Sequence, residues 1–399
     1  MRVLYVCHTA EISGAERTLL DLLRHLPGEI SAMVACPTGA LTTALRKQEV
    51  PVTQIPEIAG GLRPDLRHTP GALSAMIRAA VTVRRIARRQ RVDVLDANSI
   101  RAGLVVALAA RLGGPPAVVH VDDCLPASPL ANLTRRLLGS SARVLLANSR
   151  HTAANFGTRS GRADLQVLYN TVDMDRFDPT LVGRDQARAR LGLSGSAPLL
   201  GVVGQITPWK GQADAIRILA RLRARWPDAQ LVLAGAPKFT NDAARYDNRA
   251  YDHELRQLAS EMGLGADVQF LGEREDTATI LRALDVLLVP SWEEPFGKVV
   301  LEGMSMELPV VATNMGGPAE IVRDGLDGRL LPPQQPARWA DTISVLLEQP
   351  ALRAAMGRNG RNHVKQSFNR DTYLQAEIDS YDQAIAGADA RATEVAVRL

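Results

Sequence analysis

The chain has 399 residues, too many for one ordinary core, and its 46% hydrophobic content is that of a folded globular protein of two domains. A net charge of +4, from 47 basic and 43 acidic residues, gives no ground for a nucleic-acid partner. Three cysteines without a CxxC pair argue against a disulfide framework or a zinc site and for a reducing cytoplasm. The abundance of arginine and alanine points to a GC-rich bacterial genome.

The chain opens on "RVLYVCH", a buried strand whose apolar run is too short for a signal sequence. A helix follows in "SGAERTLLDLLRHL", with Ser13 as N-cap and Glu16 three residues on. "SAMVACP", "DVLDANS", "AVVHVDD" and "RVLLANS" are further strands, each leading into a helical stretch. "RAGLVVALAARLGG", bracketed by Arg101 and Arg111, reads as a buried core helix and not a membrane span.

After "LQVLYNTVDMDRFDPT" and the charged helix "GRDQARARLGL" the alternation restarts. "PLLGVVGQ", "AQLVLAG", "DVQFLG", "DVLLVPS" and "LPVVATN" are its strands. Such alternation predicts two doubly wound α/β domains, 1–172 and 173–374. In these sheets ligands bind at the carboxyl ends of strands, at the switch point, so the cleft between the domains is the expected site.

The loops after those strands hold the candidate chemistry. In "VVGQITPWKG", Lys210 precedes a helix, where an ammonium and helix N–H groups suit a phosphate; a surface lysine in a turn is the bland alternative. "EISGAE" places Gly14, and "TNMGGPAEIVRDGLDG" places Gly316 and Gly317, where glycine permits close approach of an anion or sugar. In "EEPFGKVVLEG", Pro295 suits a first helical turn, leaving the N–H groups of Phe296, Gly297 and Lys298 for an anion. If helical throughout, Glu294 and Glu302 stand roughly 12 Å apart, which spans a diphosphate from sugar to ribose. His120 closes its strand and divides evenly between a core histidine and a site residue. "DMD" at 173 to 175 sits in a connection, and neither a metal-ligand grouping nor a GxSxG elbow is present.

Together these pieces resemble the retaining glycosyltransferases of family four, which have the GT-B fold. "EPFGKVVLE" resembles the family's paired-glutamate motif, "GQITPWKG" its phosphate loop, "YNTVDMDRF" its linker segment and "GGPAEIVRDGLDGRLLPP" its late glycine loop. The resemblance implies transfer of a hexose-type sugar from a nucleotide-diphosphate sugar, with UDP preferred, to an acceptor hydroxyl. It implies front-face attack with the leaving phosphate taking the acceptor proton, and no metal. It also implies roles. Glu294 contacts the donor sugar, Glu302 the ribose and Lys210 the diphosphate. The amides of Gly297, Lys298 and Val299 approach phosphate and sugar beside Phe296. His120 reaches the sugar, Gly14 lines the first domain's side, and Arg274 sits near the base. The family's C-terminal helix, here 375–399, packs back on the first domain.

Three departures stand out: Gln205 replaces an arginine, Ala15 a glycine and Thr171 a glycine. A nucleotide-sugar epimerase or a non-catalytic sensor on the same fold are the alternatives. Acceptor choice falls to loops near 8 to 16, 57 to 70 and 120 to 132. The acceptor is a small molecule or lipid-linked. The stretch from Arg78 to Arg91 is a solvated helix face or a peripheral contact with the inner membrane face.

Overall fold

The computed structural model describes residues 1–56, 69–157, 163–193, 195–238 and 245–398. The expected acceptor loop at 57 to 70 therefore lies, over 57–68, outside the described residues. In chain order the first elements are β1 (Arg2–Val6), α1 (Gly14–His25), β2 (Ser31–Cys36), α2 (Ala40–Lys47), β3 (Val52–Gln54), α3 (Thr69–Gln90) and β4 (Val94–Ala97). Next come α4 (Ile100–Arg111), β5 (Ala117–Val121), α5 (Pro129–Ser141), β6 (Val144–Ala147), α6 (Arg150–Phe156) and β7 (Asp164–Val167). The second series is α7 (Arg184–Arg190), β8 (Leu199–Val203), α8 (Gln212–Leu222), β9 (Gln230–Ala234), α9 (Asn248–Glu261), β10 (Val268–Gly272), α10 (Thr277–Ala283) and β11 (Val286–Val289). It continues with α11 (Lys298–Ser305), β12 (Val310–Thr313), α12 (Pro318–Ile321), β13 (Gly328–Leu331), α13 (Pro336–Glu348) and α14 (Pro350–Ser367), before the C-terminal α15 (Arg370–Arg398).

The chain divides into two compact units: Met1–Asn170 with Arg370–Leu399, and Thr171–Asn369. These limits differ by a few residues from the expected 172/173 and 374/375. Unit 1 holds a seven-stranded sheet in the order β3-β2-β1-β4-β5-β6-β7, and unit 2 a six-stranded sheet in the order β10-β9-β8-β11-β12-β13. All strand pairs are parallel. The strand order reverses between β1 and β4 in unit 1, and between β8 and β11 in unit 2.

The central strands are apolar runs because helices cover both faces of a parallel sheet. In unit 1, Leu4, Val6, Leu95, Val119 and Leu145 pack under α3 and α4, while Tyr5, Val34, Val118 and Leu146 pack under α1 and α15. In unit 2, Leu200, Leu231 and Leu288 meet Ile216 and Leu219 of α8 and Trp339 of α13. The expected core helix is α4, whose Val105, Val106 and Ala109 are fully buried. No helix among the described residues is long and apolar enough to cross a membrane.

Candidate functional site

Unit 2's switch point brings together the loops that leave β8 and β11. Gly211 fixes their spacing: its φ is +74°, and a Cβ there would stand 2.2 Å from the Pro290 carbonyl oxygen. Only glycine fits both conditions. The Trp292 N–H donates to the Trp209 carbonyl at 2.8 Å, tying the loops a second time. Lys210 thus comes to face Glu294, with Nζ 2.6 Å from Oε2. Ser291 Oγ donates to the same oxygen at 2.9 Å, and the Lys210 ammonium lies 4.4 Å from the Trp209 ring centroid. Glu294 is 5% exposed, and a carboxylate this buried needs such partners. Sequence reasoning found the lysine and the glutamate but missed Ser291, three residues before Glu294, and Trp209, next to Lys210.

The stretch after Glu294 corrects one expectation. The helix does not start at Pro295. Glu294 pairs in parallel with Gly316, Gly297 adopts φ +88° as N-cap, and α11 begins at Lys298. Glu294 and Glu302 are therefore not two points on one helix, and the roughly 12 Å helical span does not apply. The helical amides at this end start with Lys298 and Val299, whereas Phe296 is buried ahead of the helix. Glu302 is half-buried on the second turn of α11. The late glycines also have a packing role: a Cβ on Gly316 would lie 2.0 Å from the Glu294 carbonyl oxygen, and one on Gly317 would lie 2.3 Å from Phe296 Cα. The Gly317 N–H donates to that same Glu294 carbonyl at 2.8 Å. The loop after β12 thereby clamps the backbone that carries Glu294.

Gln205 is occupied with bracing. Its Nε2 donates to the Lys238 carbonyl at 3.2 Å, and its own carbonyl accepts from Gln212 Nε2 at 2.8 Å. Arg274 follows β10 and forms a bidentate pair with Asp276, both contacts at 2.7 Å. In the "DMD" stretch, Asp173 accepts from the N–H groups of Asp175 and Arg176, which makes it a turn.

In unit 1, Gly14 starts α1, and a Cβ there would meet nothing within 4 Å. The expected capping box forms: Glu16 Oε2 accepts from the Ser13 N–H at 3.0 Å and from its hydroxyl at 2.5 Å. Burial raises the Glu16 pKa in spite of those bonds.

His120 requires a correction. It does not close its strand, since β5 runs on to Val121. Its Nε2 lies 3.0 Å from Glu377 Oε1 on α15 and 3.3 Å from Asp96 Oδ2 on β4. The Tyr381 hydroxyl donates to Glu377 at 2.9 Å and approaches Asp96 at 3.1 Å and the Tyr5 hydroxyl at 3.2 Å. Burial alone would lower the His120 pKa, but the carboxylates of Glu377 and Asp96 outweigh it and raise it well above 6.5. Burial lifts Asp96 to about 6, against the pull of His120. Burial would also lift Glu377, but His120 and Tyr381 bring it below the usual value. The ring is thus a member of a buried polar network that fastens α15 to the sheet.

The residue that does stand at the end of β5 is Asp122, half-buried and missed by sequence reasoning. Burial, reinforced by Asp123 and Glu16 and opposed by His120, lifts its pKa to about 7. After β1, His8 Nδ1 is 2.9 Å from Ser99 Oγ, and burial with Arg101 nearby lowers its pKa to about 4.

Two parallel α/β units, with the motif loops at strand ends, are those of a GT-B glycosyltransferase, and known proteins agree. A profile described as glycosyl transferases group 1 matches residues 183–363, and one described as Glycosyltransferase Family 4 matches residues 12–176. The chain is 30% identical to the D-inositol 3-phosphate glycosyltransferase of Salinispora arenicola over 329 residues, 76% of this chain and 71% of that protein. To the enzyme of that name from Mycolicibacterium smegmatis it is 32% identical over 277 residues, 68% of this chain and 60% of that protein. The crystal structure of Anabaena Alr3699/HepE with UDP-glucose matches at a TM-score of 0.83 and 26% identity, covering 96% of this chain and 99% of that one. Sucrose-phosphate synthase of Thermosynechococcus elongatus shares the fold at a TM-score of 0.78 and 19% identity, covering 97% and 100%. The chain belongs to glycosyltransferase family 4, and it is a glycosyltransferase.

Proposed function

We propose that the chain moves a hexose from a UDP-sugar to an acceptor hydroxyl, with retention at the anomeric carbon and without a metal ion. The carrying observation is the Lys210–Glu294 contact at unit 2's switch point. Without ligand, each group neutralises the other. When a diphosphate arrives, Lys210 exchanges its carboxylate partner for phosphate oxygens, and Glu294, still held by Ser291, accepts from sugar hydroxyls. The Lys298 and Val299 amides at the start of α11 add positive dipole. Gln205 brings no charge, so Lys210 is the cation of its loop. Glu302 is assigned to the ribose diol, and Arg274, once released from Asp276, to the base.

The reaction breaks the bond from the anomeric carbon to the β-phosphate oxygen. It forms the bond to the acceptor oxygen on the same face, and the acceptor proton passes to the departing phosphate. Stabilising that phosphate is the main electrostatic task. UDP is favoured because the Anabaena relative binds UDP-glucose. D-inositol 3-phosphate, named in the relatives, is the first acceptor to assay.

The test is transfer from UDP-glucose by the wild type and by Glu294→Gln, with the product's anomeric configuration read by NMR. Transfer with retention, lost in a variant that still binds UDP, supports the reading. A donor sugar isomerised without acceptor indicates an epimerase. Donor binding without any turnover across an acceptor panel indicates a sensor.

A further inference from the structure

Helix α3 has two unlike faces. Met76, Ala79, Ala80, Val83, Ile86 and Ala87 pack into the unit 1 core. At about 100° per residue these positions cluster on one side of the helix. The exposed flank beside it carries Leu73, Ile77 and Val81, which are 57%, 45% and 36% exposed. Their four-residue spacing makes them neighbours in a row along the helix. Arg78, Arg85, Arg88 and Arg89 are exposed around that row. No Asp or Glu occurs between Thr69 and Val92. Among the described residues Arg78 reaches Ser74 Oγ, Arg88 reaches the Gly113 carbonyl, and neither meets a carboxylate.

A solvated helix face does not place three large apolar side chains in a row with unpaired arginines. A nucleic acid would use the arginines and leave the apolar row in water. A bilayer with anionic headgroups uses both: the acyl boundary takes the apolar row, and phosphates take the guanidinium groups. We infer that the outward face of α3 docks this enzyme on an anionic lipid surface. The inference stands on unit 1 alone and holds whatever sugar is transferred.

The test is flotation of the full chain with vesicles of phosphatidylcholine alone and with 30% phosphatidylglycerol (about one anionic lipid in three, an ordinary anionic membrane charge). The wild type should float with the anionic vesicles only, and binding should weaken with salt. Arg78→Gln with Arg85→Gln should weaken it about tenfold or more, as each charge contributes roughly fivefold. Ile77→Ser with Val81→Ser should weaken it severalfold while the arginines remain. All four side chains are exposed, so both variants should fold, which UDP binding in the same preparations checks independently of vesicles. No flotation by a folded wild type overturns the inference, as does equal binding to neutral vesicles. Arginine-dependent capture of an RNA oligonucleotide that ignores Ile77→Ser and Val81→Ser, without flotation, overturns it in favour of nucleic acid.

Discussion

The two units share a strand order but place their charges differently. Unit 2 keeps its structural ion pair at the amino ends of the strands: Arg188 Nη2 is 2.8 Å from Asp285 Oδ2, which also accepts from the Leu199 N–H that opens β8. The carboxyl ends of β8 and β11 lead into Lys210, Ser291 and Glu294. Unit 1 buries charge within two strands, next to their carboxyl ends, where His120, Asp96 and Glu377 hold α15. Unit 2 thus holds an ion pair in the loops after its strands, and unit 1 uses buried charge as a fastener.

The largest effect that would sharpen this contrast is on turnover. Glu294→Gln and Lys210→Ala should each lower kcat by about 100- to 1,000-fold, the range for removing one transition-state stabilising group. Glu294→Gln should shift the melting temperature little, because it removes the buried charge and leaves a side-chain oxygen for Ser291, whereas Lys210→Ala should lower it by stripping a buried carboxylate of its cation. Normal turnover in either variant breaks the contrast at unit 2.

His120→Ala should do the reverse. It strands two buried carboxylates, and removing one member of a buried charge network costs about 3–5 kcal/mol. Chemical unfolding should show that loss, while UDP affinity per folded molecule stays unchanged. A variant as stable as wild type but inactive would return His120 to the sugar.

Gly316→Ala should destabilise unit 2 by about 1–3 kcal/mol, because it adds strain at φ +84° and a Cβ against the Glu294 carbonyl. Turnover should fall with it, since that carbonyl anchors the backbone that carries Glu294; unchanged turnover and stability would remove the clamp from the account.

The smallest effect is in pH. The folded pKa of His120 is raised, so its contribution is complete below 6.5 and is lost as pH rises through the higher folded value. Asp96 and Asp122 oppose folding increasingly as pH rises from 3.8 toward about 6 and about 7. The melting temperature should therefore fall as pH rises above about 6, and His120→Gln should flatten the alkaline part. An equal slope in the variant would show that the network stays neutral.

What the sequence revealed follows from what is local in it. The central strands were legible as apolar runs, and the candidate site loops because their residues fall within two short stretches, 204–211 and 290–302. The edge strands β3 and β7 are short and half-exposed, and β13 lies inside a glycine-rich turn region, so none has an apolar run to reveal it. The start of α11 was misplaced because Pro295 suits a helix locally, whereas pairing of Glu294 with Gly316 is a contact between distant loops. The partners of His120 were hidden for the same reason. Its partner Glu377 is 257 residues away, and no spacing rule joins them.

The central claim is that the donor diphosphate sits at unit 2's switch point on Lys210. Calorimetry of UDP binding without added metal, on the wild type and on Lys210→Ala, tests it most directly. Clear binding by the wild type that weakens tenfold or more in the variant is the predicted result, a difference of about 1.4 kcal/mol. Equal affinity in the two proteins would contradict it and remove Lys210 from the donor site.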